Sequence, residues 1–224
     1  LMESGATIIS FMFFLAFCIY LYWGIDIIRI NKTEQENKMF LGICIAMSIW
    51  AFSFAMSNSA SDIKSAIIWR RISAIGWTSV YSLMLHYLIL LSNKKLNSKQ
   101  TKLLGILHLP AIINMYIFSF SNKLAITQHN LIKIDLGWTS RSIGNGLDIF
   151  FRLYYISYIL MSILVVWIWQ RRIEDRQTAK RAKLIAYSLF ASGALGTITD
   201  IVMTSLLNKP MPQLGPIFIL LPAG

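Results

Sequence analysis

The sequence predicts an all-α protein, a polytopic membrane bundle of seven transmembrane helices with the last one truncated, and three observations predict it. Of the 224 residues 56% are hydrophobic and only 14% charged, whereas soluble domains run near a quarter charged; mean hydropathy is +0.58. The apolar residues come in blocks of about 20, the length a helix needs to cross a bilayer. Within lipid the backbone must bond to itself, so each block is helical. Finally, the basic residues behind the net charge of +11 gather in short segments between the blocks. Membrane orientation therefore accounts for a charge that would otherwise suggest nucleic acid.

The blocks place helices over roughly 6–29, 39–57, 66–91, 103–120, 147–170 and 184–207, with a seventh from about 214 to the end, all in one domain over 1–224. The first is not a signal peptide: it opens on Glu3 rather than a basic stretch, is too long, and has no small-residue cleavage site. Cys18 in the first helix and Cys44 in the second differ in depth by about 8 Å, beyond disulfide reach, so both read as apolar packing residues. The third helix carries Trp69-Arg70-Arg71 about one turn inside its start. Such arginines usually snorkel to headgroups, which is the leading reading; the alternative is that one of the two faces the bundle, since neighbours on a helix point about 100° apart. His86 and His108, on the third and fourth helices, lie at similar depth near the same border. Ordinary packing is the leading reading for them, a metal or pH-sensing pair the alternative.

Residues 121–146 form the one long connection, with Gly137-Trp138 in its middle and Gly144-Asn145-Gly146 before the fifth helix; loops of that length are functional or mobile. In the fifth helix, Arg152 lies roughly 8 Å deep, and in the sixth, Asp200 lies roughly 10 Å deep in the same leaflet. Intramembrane charges are costly and mark sites. The two are expected to face one another, unless Arg152 is neutralised by Asp148 one turn earlier. Ser188, Ser192, Gly196, Asp200 and Thr204 form a small-residue stripe on the sixth helix, suited to close helix packing. Pro210, Pro212 and Pro216 open the seventh helix and Pro222 predicts a kink within it.

Orientation follows from Arg29, Lys32 and Lys38, then Lys94, Lys95, Lys99 and Lys102, then Arg171, Arg172, Arg176, Lys180, Arg181 and Lys183. These hold 13 of the 21 basic residues in three short loops on one side. That side is predicted cytoplasmic, with the N-terminus and the 121–146 loop outside. Trp23, Trp69, Trp167 and Trp169 sit at the expected borders.

No Walker loop, HExxH, G-x-S-x-G or paired Cys/His spacing is present. The sequence thus predicts no catalytic residue, metal, cofactor or nucleic-acid partner. A microbial-rhodopsin photoreceptor is disfavoured because residues 66–91 contain no acidic counterion. A transporter or channel component is the competing class, but the internal repeats or helix breaks at matching places that it would show are not seen.

Trp50 and Ala51, Trp69-Arg70-Arg71 followed by Gly76, Gly137-Trp138, Asp200 and Pro212-Gln213-Leu214-Gly215-Pro216 occur in an order and spacing that spans nearly the whole chain. In these features the sequence resembles the N-terminal seven-transmembrane sensor region of bacterial membrane histidine kinases, a region also found ahead of some diguanylate cyclases. The resemblance implies a signal-input module in the cytoplasmic (inner) membrane. It would read an unknown small-molecule or membrane signal and pass it through the last helix to a cytoplasmic kinase domain in cis, as a homodimer when full length. The chain starts at Leu1-Met2 and stops inside an apolar run at Pro222-Ala223-Gly224, so the phosphorylated histidine and ATP site are expected beyond it. The ligand-binding residues expected from the sequence are Arg152, Asp200, Arg71, Trp69 and Tyr155.

Overall fold

A computed structural model describes residues 2–30, 34–92, 100, 104–121, 129–141, 144–173, 176–199 and 212–218. Three long helices open the chain: α1 (Met2–Ile30), α2 (Gln35–Asn58) and α3 (Ile63–Ser92). After them come α4 (Leu109–Met115), which continues through a π-helical turn at Tyr116–Phe120, and a hairpin of β1 (Leu131–Ile134) and β2 (Gly137–Ser140). The described chain ends with α5 (Gly146–Arg172), α6 (Arg176–Thr197) and α7 (Gly215–Phe218). Four helices, Gly5–Arg29, Gln35–Asn58, Ile63–Ser92 and Gly146–Arg172, are long and apolar enough to cross a membrane, and Leu104–Phe120 is a shorter apolar helix.

Two expectations are revised. The long connection is not purely irregular: β1 and β2 pair antiparallel, Leu131 opposite Ser140 and Ile134 opposite Gly137, so a small sheet joins an otherwise helical chain. The sixth helix begins at Arg176 rather than near residue 184. Hydropathy marks where lipid begins, not where helix begins, and Gln, Ala, Lys and Arg all form helix readily in water.

Helices in lipid gain little from the hydrophobic effect against one another, so they associate by close packing and hydrogen bonds. The seam between α2 and α3 shows how close. A Cβ placed on Gly76 would lie 2.3 Å from the Ala46 carbonyl oxygen and 2.8 Å from the Trp50 nitrogen, so only glycine lets the two backbones approach this far. Phe13 and Tyr20 of α1, Met47, Trp50 and Phe54 of α2, and Val80 of α3 form the main core, with Leu214 and Ile217 packed onto it. The Tyr20 hydroxyl donates to the Pro216 carbonyl at 2.7 Å, docking the start of α7 on α1. On the other side of α3, the Tyr154 hydroxyl of α5 donates to the Thr78 carbonyl at 2.7 Å. Trp77 meets Phe118 and Phe151 edge-on, at 5.0 and 4.6 Å between ring centres.

Asp62 caps α3, accepting from the Ser65 amide at 3.0 Å and the Ser65 hydroxyl at 2.7 Å, and these bonds hold its carboxyl below the usual range. Asn145 caps α5 by accepting from the Asp148 amide at 3.0 Å.

Candidate functional site

The most unusual side chain in the described fold is Arg70, a guanidinium 2% exposed in a helix bundle. Burying a cation is costly unless its N–H groups are bonded, and the sequence around it supplies the acceptors. Arg70 Nε donates to the Ser57 hydroxyl oxygen of α2 at 3.2 Å, and one terminal nitrogen donates to Gln213 Oε1, just before α7, at 2.7 Å. The other terminal nitrogen donates to the backbone carbonyl of Trp138 on β2. The guanidinium plane lies 3.8 Å over the Phe54 ring, an arrangement that favours a desolvated cation. One side chain of α3 thus holds α2, the hairpin and the entry to α7 together.

The hairpin is fixed to this point by its own backbone chemistry. The Trp138 amide donates to Asn58 Oδ1 at 3.2 Å and its indole Nε1 donates to the Ala60 carbonyl at 2.9 Å. With its carbonyl on Arg70, residue 138 is bonded through amide, indole and carbonyl alike. Gly137 makes this fit possible: its φ of +111° lies in the region reserved for glycine, and a Cβ there would meet Asn58 Cγ at 2.8 Å. The turn at Asp135-Leu136 reaches α1, where a Cβ on Gly5 would sit 2.9 Å from the Asp135 carbonyl oxygen.

Arg71 points elsewhere, as the helical phase requires. Its Nε donates to the Ser119 carbonyl at 2.9 Å, and the Ser119 hydroxyl returns a bond to the Arg71 carbonyl at 2.8 Å. This pins α3 to the π turn of α4, a backbone irregularity of the kind often found at functional sites. Beside it, His129 Nε2 lies 3.0 Å from the Phe118 carbonyl. A carbonyl only accepts, so Nε2 carries the proton. Burial, reinforced by the charges of Arg70 and Arg71 and only partly opposed by this bond, pushes the His129 imidazole down to about 4.

The other expected site residues are distributed as follows. Arg152 pairs with Asp148 one turn back at 2.9 Å, the local alternative weighed from the sequence, while Asp200 lies outside the described residues. Tyr155 donates to or accepts from Thr197 Oγ1 of α6 at 2.8 Å and meets the Tyr81 ring at 4.8 Å between centres. Trp69 is half-buried, its ring edge-on to Phe52 at 5.8 Å. Of the small-residue stripe, Ser192 is buried and Gly196 faces Tyr155, where a Cβ would lie 3.8 Å from the hydroxyl; α6 and α5 meet at this glycine. Arg70 and His129 were not among the expected site residues. Arg70 was legible as a pair with Arg71 but not as the inward member; His129 sits in a connection without helical periodicity.

Among the described residues no group of three or more His, Cys, Asp or Glu could hold a metal. What the arrangement can do is mechanical: it ties the hairpin to the last helix. No curated protein and no solved structure matches the chain. The family described as the N-terminal 7TM region of histidine kinase matches residues 6–221. This chain, a transmembrane and non-catalytic region, therefore belongs to that family.

Proposed function

We propose that the chain is the signal-input module of a sensor histidine kinase and that Arg70 is the joint through which the hairpin addresses the last helix. The observation that carries the reading is that Arg70 bonds both Trp138 of the hairpin and Gln213 at the entry to α7. A signal that binds better to one hairpin position than another shifts the bundle by that difference in affinity, and Arg70 delivers the shift to α7. In this reading seven helices cross the bacterial inner membrane, the N-terminus and hairpin lie outside, and α7 leads to a cytoplasmic kinase that works as a homodimer. The excess of basic residues in the three loops on the opposite side supports that orientation. Arg152 and Asp200, with Arg71, Trp69 and Tyr155, border the signal-binding region, Asp200 drawn toward α5 by the stripe on α6.

The test uses the full-length protein in membranes, reading autophosphorylation. Arg70→Gln and Gln213→Ala are expected to shift the basal level several-fold in the same direction, and the double variant no further than Arg70→Gln alone. Additive effects, or no effect from either in folded protein, would overturn the joint. Orientation is tested separately: a membrane-impermeant thiol reagent added outside reaches Ser140→Cys and misses Ser98→Cys, and the reverse pattern refutes it.

A further inference from the structure

At the end of α3 away from the hairpin, two histidines form a hydrogen-bonded chain that the joint at Arg70 does not use. His86 Nδ1 lies 3.0 Å from His108 Nε2, and His108 Nδ1 lies 3.0 Å from the Ser82 hydroxyl oxygen. The protons in this chain can be assigned from its far end. Ser82 Oγ donates its hydrogen to the Ser79 carbonyl at 2.9 Å, so toward His108 it can only accept. His108 Nδ1 must then carry a proton, which in the neutral ring leaves Nε2 with a lone pair. That lone pair faces His86, so His86 Nδ1 is the donor and His86 Nε2 is the one ring nitrogen of the pair with a lone pair to spare.

We propose that His86 and His108 form a two-proton latch between α3 and the segment that leads into α4, closed when neutral or singly protonated and open when doubly protonated. The first added proton goes to His86 Nε2. It leaves every bond in the chain intact and makes the His86–His108 bond charge-assisted, hence stronger. A second proton has only His108 Nε2 to go to. It removes the acceptor from that bond and sets two imidazolium N–H groups against each other at 3 Å, so the rings must part. The two sites therefore titrate as a pair with two macroscopic steps. The ligand is the proton rather than a metal ion, since among the described residues no third His, Cys or carboxylate joins them.

Described groups on the neighbouring helices also border this region. From α5, the Tyr158 hydroxyl donates to the Leu107 carbonyl at 2.6 Å, and the titratable Tyr154 hydroxyl, which donates to Thr78, also lies against Ser82. From α2, Glu36 bears on Tyr87 of α3. Tyr158 is itself a clamp on the same segment through Leu107, and it persists when the rings part. The opened latch would free one end of the segment whose other end is pinned by Arg71 and Ser119.

The chain contains only three histidines, which makes the test direct. Nitrogen-labelled histidine is introduced into the chain in lipid nanodiscs, in a His129→Gln background, and imidazole NMR is followed from pH 8 to 4. Near neutrality both rings are expected in the Nδ1–H form, with a strongly deshielded proton shared by His86 and His108. The pair should titrate in two steps more than about one pH unit apart, with the deshielded signal lost at the second. Ser82→Ala should release His108 to populate the Nε2–H form, and His108→Gln should leave His86 with a single step. Should His86 titrate identically with and without His108, the rings are independent and the latch is refuted. Persistence of the shared proton through both steps refutes it equally.

Discussion

His129 offers a prediction whose size follows from the structure. Its imidazole is held neutral under the hairpin down to about 4, against an ordinary value of 6.5. The unfolded chain therefore takes up a proton before the folded one does, and stability must fall as the pH drops through that interval. Above about 6.5 neither state is protonated and the group contributes nothing to the slope; below about 4 both are, and the loss is complete. The difference of about 2.5 units, at 1.36 kcal/mol per unit, amounts to about 3 kcal/mol, half of it gone near pH 5. His129→Gln keeps an N–H for the Phe118 carbonyl but cannot titrate. Reversible unfolding in mixed micelles, measured for both proteins at pH 7.5, 5.5 and 4.5, isolates the term, because other titrating groups cancel in the difference. The parent should lose about 2.5 kcal/mol relative to the variant between pH 7.5 and 4.5. A difference independent of pH would mean that the imidazole is solvated, and one of opposite sign that it bears its charge in the fold; either result would overturn the electrostatic account of this end of the bundle.

Other expectations follow from individual contacts. Gly76→Ala drives a methyl group into the backbone of α2, and thermal unfolding in detergent should reveal a loss of about 2 kcal/mol or more, on the scale of overpacked cores; unchanged melting would show that the α2–α3 seam is looser than described. Gly137→Ala should detach the hairpin without unfolding the helices, seen as faster hydrogen exchange at residues 131–140 alone. The partly exposed i,i+4 pair of Arg152 and Asp148 is worth about 0.3–0.5 kcal/mol, so Arg152→Lys, which keeps the charge, should change stability by no more than that. A cost of several kcal/mol for both Arg152→Ala and Asp200→Ala, partly restored by exchanging the charges, would establish a second pairing, of Arg152 with Asp200. The purified chain is expected neither to bind ATP stoichiometrically nor to phosphorylate itself, which equilibrium binding and radiolabel transfer check.

Much of the bundle was legible because hydropathy blocks report directly on lipid contact. The helices over 66–91 and 147–170 reappear as Ile63–Ser92 and Gly146–Arg172, extended where polar ends stay helical in water. The hairpin was not legible, since each strand is four residues long and the turn is Asp135-Leu136, without the Asn-Gly or Asp-Gly pair that announces a two-residue loop. Its glycine, Gly137, follows the turn and serves the close approach to Asn58. The choice between Arg70 and Arg71 was equally hidden. A sequence places two adjacent arginines at one depth, and only the packing of α2 against α3 decides which of them turns inward. His86 and His108 were legible as neighbours in depth, because two helices crossing the same slab share its coordinate, whereas the bond between them depends on rotation about each axis.

The reach of Arg70 also has a consequence for how the protein is made. Its partners Trp138 and Gln213 lie 68 and 143 residues further along the chain. At synthesis rates of about 5–20 residues per second, the second of them emerges about 7–29 s after Arg70 does. Through that interval the guanidinium lacks one or both of these acceptors. Docking of the hairpin and then of α7 withdraws it from solvent, so the clasp is the closing step of assembly. A chain that stalls, or mispairs its later helices, is left displaying an arginine in a nearly finished membrane bundle, a mark by which quality control can tell it from one that is complete.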